Sequence, residues 1–220
     1  MERPILFSGP MVRAILEGRK CKTRRPVHPL LHLIMDGDED TGRVVEQSDE
    51  EFGARATEHA TCPYGRPGDR LWVKETFRHV DGLRTFPRGA PLQYRADWER
   101  EKIFAWRWRP SIYLPRWASR IDLVVTGVHV ERLQALTHKG AREEGVQSGR
   151  IPATGDHPEL LGYVLGDDDG KCTLYPTPQR AFEVGWDALN AQRGFPWSSN
   201  PWVWVVQFQV LRPVARKEAS

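Results

Sequence analysis

The sequence predicts a single α+β domain: a small mixed β-barrel with flanking short helices and two loop insertions. Many short runs rich in alternating apolar and polar residues read as strands. Only a few stretches carry helical periodicity, and no regular strand–helix–strand alternation is present to build a doubly wound sheet. A chain of 220 residues, 40% hydrophobic and 28% charged, can bury a core without disulfides. The domain is expected over residues 1–212, with insertions at about 28–61 and 147–176 and a polar tail at 213–220.

Residues 10–17 read as the first helix, with Ser8 or Gly9 as cap and Pro10 in the first turn. Met11, Val12, Ile15 and Leu16 form its apolar stripe, and Gly18 fits the stop. The basic stretch that follows is a connection from helix to strand, where side chains are often presented to ligands. Residues 28–61 include "DGDEDTGRVVEQSDEE" and read as an acidic inserted loop, with a short hairpin around Gly42. Pro67 and Gly68 make a turn, and Asp69 leads into a strand near 70–77, with Leu71 and Val73 on one face and Trp72 and Lys74 on the other. "LQYRAD" and "SIYLP" read as short strands. "RIDLVVTGVHVERL" is the longest strand candidate, with a bulge at Gly127.

A second helix is expected at about 138–144, capped by Thr137 and stopped by Gly145, with Ala141 and Glu144 on one face. Residues 147–176, rich in Gly, Pro and Asp, read as a loop region. Thr177 and Pro178 open a helix that carries Phe182, Trp186 and Leu189 on one side. "NPWVWVVQFQV" closes the domain as a strand. Trp202, Trp204, Val206 and Phe208 line one of its faces and Val203, Val205 and Gln207 the other, so both faces are expected to be covered. No internal repeat is visible.

The longest apolar runs are too short to span a bilayer, and "MERPILFSGP" lacks the basic segment and long apolar core of a signal peptide. A cytoplasmic protein is therefore expected, without a membrane partner. Cys21, Cys62 and Cys172 are odd in number and widely spaced, which does not read as a disulfide framework. His28 and His32 stand at i,i+4 and Cys62 would be a third metal ligand, but no CxxC or HExxH motif accompanies them. Surface or core histidines are the plainer reading; no metal and no cofactor are expected.

Charge is nearly balanced, with 32 Lys+Arg against 29 Asp+Glu, yet Arg19, Lys20, Lys22, Arg24 and Arg25 crowd into seven positions of "EGRKCKTRRPV". Such a run is a solvated surface, a phosphate grip or a catalytic loop. Thr23 supplies a hydroxyl nucleophile if a base is near, and Lys20, its pKa lowered among other cations, is the natural base. In a regular strand positions 20 and 23 point to opposite faces, so the two converge only if residues 19–22 bend. Glu144 is the acid to pair with them, as orienting group or proton shuttle; the plain alternative is an exposed helix acid. Trp106, Trp108 and Trp117 interleave with Arg107, Arg109, Arg116 and Arg120, a pattern that suits nucleic acid, although on composition alone a core edge overlaid by arginines is the plainer reading.

At these residues the chain resembles the ASCH domains, which are PUA-like β-barrels. "ILEGRKCKTRR" resembles their N-terminal signature, "PGDRLWVKET" their turn-Gly-Asp strand, "LTHKGAREEGV" their later helix and "NPWVWVVQFQV" their closing strand. The resemblance is closest to the larger ASCH proteins of phages and prophages, where "RPSIYLPRWASRI" also has a counterpart. It implies a cleft between barrel and helices, and RNA, modified nucleic acid or a nucleoside as ligand. One branch with a similar site hydrolyses the amide of N4-acetylcytidine, and its Lys, Thr, Glu and following Arg match Lys20, Thr23, Glu144 and Arg25. On that basis Lys20, Thr23 and Glu144 are the expected catalytic residues. Arg19, Arg25, Lys74, Glu75, Arg116, Trp117 and Arg120 are the expected binding residues, with Trp117 stacking on a base. Two rivals stand beside this reading: a non-catalytic reader of RNA or modified DNA, and a phage regulator that binds a host protein through the acidic insertion.

Overall fold

The computed structural model describes residues 1–27, 62–83, 85–98, 107–151, 153, 159–166 and 173–211. The expected hairpin around Gly42, His28, His32, Trp106, Cys172 and the polar tail lie outside the described residues.

Five strands form the main sheet: β1 (Glu2–Leu6), β2 (Lys22–Pro26), β3 (Arg70–Lys74), β6 (Asp122–Arg132) and β9 (Trp202–Val210). Their order is β1-β3-β6-β9-β2. β1 runs parallel to β3, and the other three pairings are antiparallel. The class is thus α+β, as the sequence predicts. No ladder joins β2 back to β1 among the described residues, so the sheet is open where a closed barrel was expected. A side chain bridges the two edges instead: Arg25 Nη2 on β2 donates to Leu6 O on β1 at 2.6 Å.

β9 joins two cores because both of its faces are apolar. Trp202, Trp204, Val206 and Phe208 meet Ile5, Leu71, Val73 and Val125 in one core. Val203 and Val205 meet Leu133, Phe182 and Trp186 in a second. Burying one side chain of this size contributes roughly 1.5–3 kcal/mol, which explains why the strand carries no charge. The register of β6 on β9 shifts between Val125 and Gly127, at the expected bulge.

Helix α1 (Gly9–Leu16) follows Ser8 and lays Val12, Ala14 and Ile15 inward. Helix α2 (His138–Glu143) is capped by Thr137, whose hydroxyl accepts from Gly140 N at 3.0 Å. Helix α3 (Pro178–Asn190) is capped in the same way by Thr177. Phe182 and Trp186 are buried on it, but Leu189, expected beside them, is 52% exposed because it reaches past the core to a cavity wall.

Three further expectations are corrected. The strand expected near 70–77 is broken: β3 stops at Lys74, and Phe77–His79 (β4) pairs with Leu92–Tyr94 (β5), leaving 95–97 of "LQYRAD" as a turn of 3₁₀ helix. "SIYLP" is a 3₁₀ turn at Ser111–Tyr113, since Pro110 and Pro115 bracket a segment too short to pair. Within the region read as loop, Val146–Ile151 (β7) and Leu160–Leu165 (β8) form an antiparallel hairpin, and Tyr163 also bonds to Tyr175 in both directions. No helix among the described residues is long and apolar enough to cross a membrane.

Gly145 ends α2 with φ +105°, and a Cβ there would stand 3.1 Å from the Ala14 Cβ and 3.6 Å from the Lys20 Cβ. Gly145→Ala is expected to cost about 1–3 kcal/mol through backbone strain alone, read as a lower urea midpoint at unchanged slope.

Candidate functional site

The bend that brings Lys20 inward is built from the end of α1. Gly18 takes φ +73°, and the N–H groups of Arg19 and Lys20 both donate to Ala14 O at 2.9 Å. The chain then meets the C-terminus of α2, whose last carbonyls need donors. Cys21 N bonds Glu143 O at 3.0 Å, Lys20 Nζ bonds Glu144 O at 2.8 Å and Arg19 Nη1 bonds Gly145 O at 2.9 Å. Part of the basic run is thus a helix cap, favoured by the negative end of the helix dipole.

Lys20 and Glu144 form a buried ion pair at 2.6 Å, with side chains 0% and 3% exposed. Lys20 Nζ has a third acceptor in Lys22 O at 2.7 Å, so all its protons are placed. Burial lowers the Lys20 pKa; Glu144 opposes that, while Arg25 and Arg24 reinforce it. The other carboxylate oxygen of Glu144 accepts from Arg24 Nη1 at 3.2 Å. Arg24 also bonds Glu131 through Nε at 2.9 Å and Nη2 at 2.6 Å. His129 Nε2 lies 3.2 Å from Glu131 Oε2. Burial works against the Glu131 charge, but His129 and Arg24 outweigh it and hold its pKa low. Polar contacts thus run from a half-exposed histidine through two acids and an arginine to a lysine sealed from water.

A cavity of about 770 Å³ opens beside this chain, in the range that small-molecule sites occupy. The end of β1, edge strand β2, the hairpin and α3 surround it. Thr23, Arg24, Arg25 and Glu144 lie on its wall with Phe7, Tyr64, Trp186, Phe195 and Trp204. Thr23 is 3% exposed, and its hydroxyl makes no hydrogen bond to a described residue. Thr23 and Arg25 pair with Val206 and Trp204, so both sit on the face of the first core. Arg24 pairs with Val205 and faces the second. The cavity therefore wraps around the free edge of β2. Trp186 is fixed there by its indole N–H, which donates to Phe195 O at 2.8 Å.

The remaining sequence-predicted binding residues lie elsewhere. Arg19 is paired with Glu17 at 2.6 Å. Lys74 donates to Ile112 O and lies over the Trp72 ring. Glu75, 1% exposed, binds Arg120 through two parallel bonds of 2.8 and 2.9 Å. Arg120 also bonds Asp97 at 2.7 Å and stacks on Tyr94. Burial raises the Glu75 pKa and works against Arg120 too, but Arg120 is held charged by its two carboxylates. Arg116 is bound to Glu2 and Asp122 at 2.5 and 2.9 Å. Trp117 meets Phe86 edge-to-face at 6.3 Å. Arg116 and Trp117 line a separate hollow of about 460 Å³ with Arg88. The two hollows have no lining residue in common.

Sequence reasoning missed Arg24 as a buried partner of Glu144, Glu131 behind it, and Arg193 on the cavity wall. Among the described residues no cluster of metal-ligating side chains is present. No family model matches the chain, and no curated protein or solved structure matches it significantly.

Proposed function

We propose that the protein is a PUA-like ASCH-type domain whose large cavity binds a nucleoside or nucleic acid and hydrolyses the amide of an N4-acylated cytidine or a related modified nucleoside. The observation that carries this reading is the Thr23 hydroxyl, which bonds no described residue, on the wall of an aromatic-lined cavity, beside the buried Lys20–Glu144 pair. Thr23 Oγ1 attacks the acyl carbon while neutral Lys20 takes its proton. The tetrahedral intermediate collapses, the C–N bond breaks, and the proton passes from Lys20 to the leaving amine. Water, deprotonated by Lys20, then attacks the acyl-threonine ester; its C–O bond breaks, Lys20 returns the proton to Thr23 Oγ1, and the carboxylic acid is released. Burial of Lys20 favours the neutral amine that both steps need. Glu144 Oε2 orients Lys20, and Arg24 fixes Glu144 from its other oxygen.

A second reading has its own observation. Lys20 donates all three protons to protein acceptors and is absent from the cavity wall, as suits a purely structural cation. The protein is then a non-catalytic reader of RNA or modified DNA. Chromatographic turnover of N4-acylated cytidines decides between them. Release of the free acid and cytidine supports the hydrolase; binding without product sinks it and leaves the reader.

A further inference from the structure

Most of the positive charge in "GRKCKTRR" is consumed by the fold. Arg19 is paired with Glu17, Lys20 with Glu144, Lys22 with Glu143, and Arg24 with Glu131 and Glu144. Arg25 is the exception: no carboxylate among the described residues is within ion-pairing distance of it. One of its donors reaches Leu6 O, and its Nε is buried without any acceptor. Its guanidinium is held 5.3 Å from the Phe7 ring centroid and 5.9 Å from that of Tyr64, so its position is set by packing, not by an anion. Arg193, in the turn after α3, lines the same cavity, is exposed, and likewise has no carboxylate partner among the described residues. Its charge is near enough to act on Arg25, where it opposes the larger pull of Glu144.

Lys20 and Arg24 balance Glu131 and Glu144, so among the described residues Arg25 and Arg193 are the two cavity cations with no carboxylate bonded to them. Like charges facing one space repel unless an anion lies between them, and a phosphoryl group of charge about −1.5 to −2 matches the surplus. Guanidinium forks suit its oxygens.

We infer that Arg25 and Arg193 form a two-guanidinium seat for a phosphoryl group, so that the cavity's ligand is a phosphorylated nucleoside or the phosphodiester of a strand rather than a bare nucleoside. This rests on the nucleoside-binding reading for the base and, for the phosphate, only on the two arginines that have no carboxylate partner among the described residues. Arg116 and Arg120, each tied to two carboxylates, are not part of the seat.

The test is calorimetric titration of the full chain with cytidine, cytidine 5′-monophosphate, a short oligocytidylate and inorganic pyrophosphate, in wild type and Arg193→Gln. Arg193 is exposed, so its replacement leaves the fold intact. The nucleotide is expected to bind at least about tenfold more tightly than cytidine, a margin that one charge-assisted contact supplies. Arg193→Gln and raised salt should both erase that margin. An oligonucleotide that outcompetes the mononucleotide, with a steeper salt slope, assigns the phosphate to a strand; the reverse order assigns it to a free nucleotide. Pyrophosphate binding that Arg193→Gln abolishes, with no binding of any cytidine compound, keeps the seat and removes the nucleoside reading. Measurable but equal affinity for cytidine and its monophosphate, or no binding of any phosphate-bearing probe, pyrophosphate included, overturns the seat.

Discussion

Lys20→Met is expected to destabilise the protein by about 3–5 kcal/mol, the cost of leaving a buried charge without its partner. The side chain is sealed from water, and its removal orphans three acceptors at once: Lys22 O, Glu144 O and Glu144 Oε2. For a chain of this length that is a fall in melting temperature of roughly 6–20 °C. Lys22→Met is the control. Its pair with Glu143 is as short, at 2.7 Å, but the side chains are 24% and 22% exposed, and such pairs contribute less than about 1 kcal/mol. The double variant Lys20→Met/Glu144→Met should regain part of the loss, because it leaves no unpaired charge and Arg24 keeps Glu131. Lys20 also predicts a slope with pH. Its folded pKa lies below its unfolded value, so between the two the unfolded chain binds more protons and stability rises with pH. The methionine variant should lack that rise in chemical denaturation across alkaline pH. A cost below 1 kcal/mol for Lys20→Met would show that the ion pair is not what holds the basic loop to α2.

Elements whose signals are local were legible in the sequence. Thr137 and Thr177 announce their helices because a cap needs only a hydroxyl three residues before an orphan N–H, and both hydroxyls make that bond. β9 announces itself because every residue from Trp202 to Val206 is apolar, which only a strand covered on both faces permits. The hairpin of β7 and β8 was illegible for the opposite reason. Apart from one bridge to Tyr175 its strands ladder with each other alone among the described residues, so they show no clean alternation, and Gly149 and Gly162 face one another in the ladder where β-formers would be expected. At the site, Lys20 and Glu144 were legible as types of chemistry, but not their seclusion. Which arginine of a consecutive pair is buried depends on an acid 107 residues away in Glu131, and no local pattern encodes that. The stacking role read for Trp117 rested on alternation with arginines. Arg116 and Arg120 find carboxylates on β1, β6 and the turn at 95–97 that only the fold brings to them.

Thr23→Val separates chemistry from architecture. The substitution keeps shape and burial and deletes a hydroxyl that bonds nothing described, so stability should change by less than about 1 kcal/mol. If Thr23 is the nucleophile, turnover of N4-acetylcytidine should fall by at least about 10³-fold while ligand affinity holds, because the lost interaction exists only in the transition state. The wild-type pH–rate profile should rise along a limb whose apparent pKa lies below that of an ordinary lysine, since burial favours the neutral amine that takes the Thr23 proton. The direction follows from the role: a base works when deprotonated, so the rate climbs with pH and levels once Lys20 is neutral. Residual activity in Thr23→Val with the same limb would move the nucleophile to water, with Lys20 still the base. A wild type that binds but does not turn over, matched by a valine variant of equal affinity, would make Thr23 part of a reader's pocket wall.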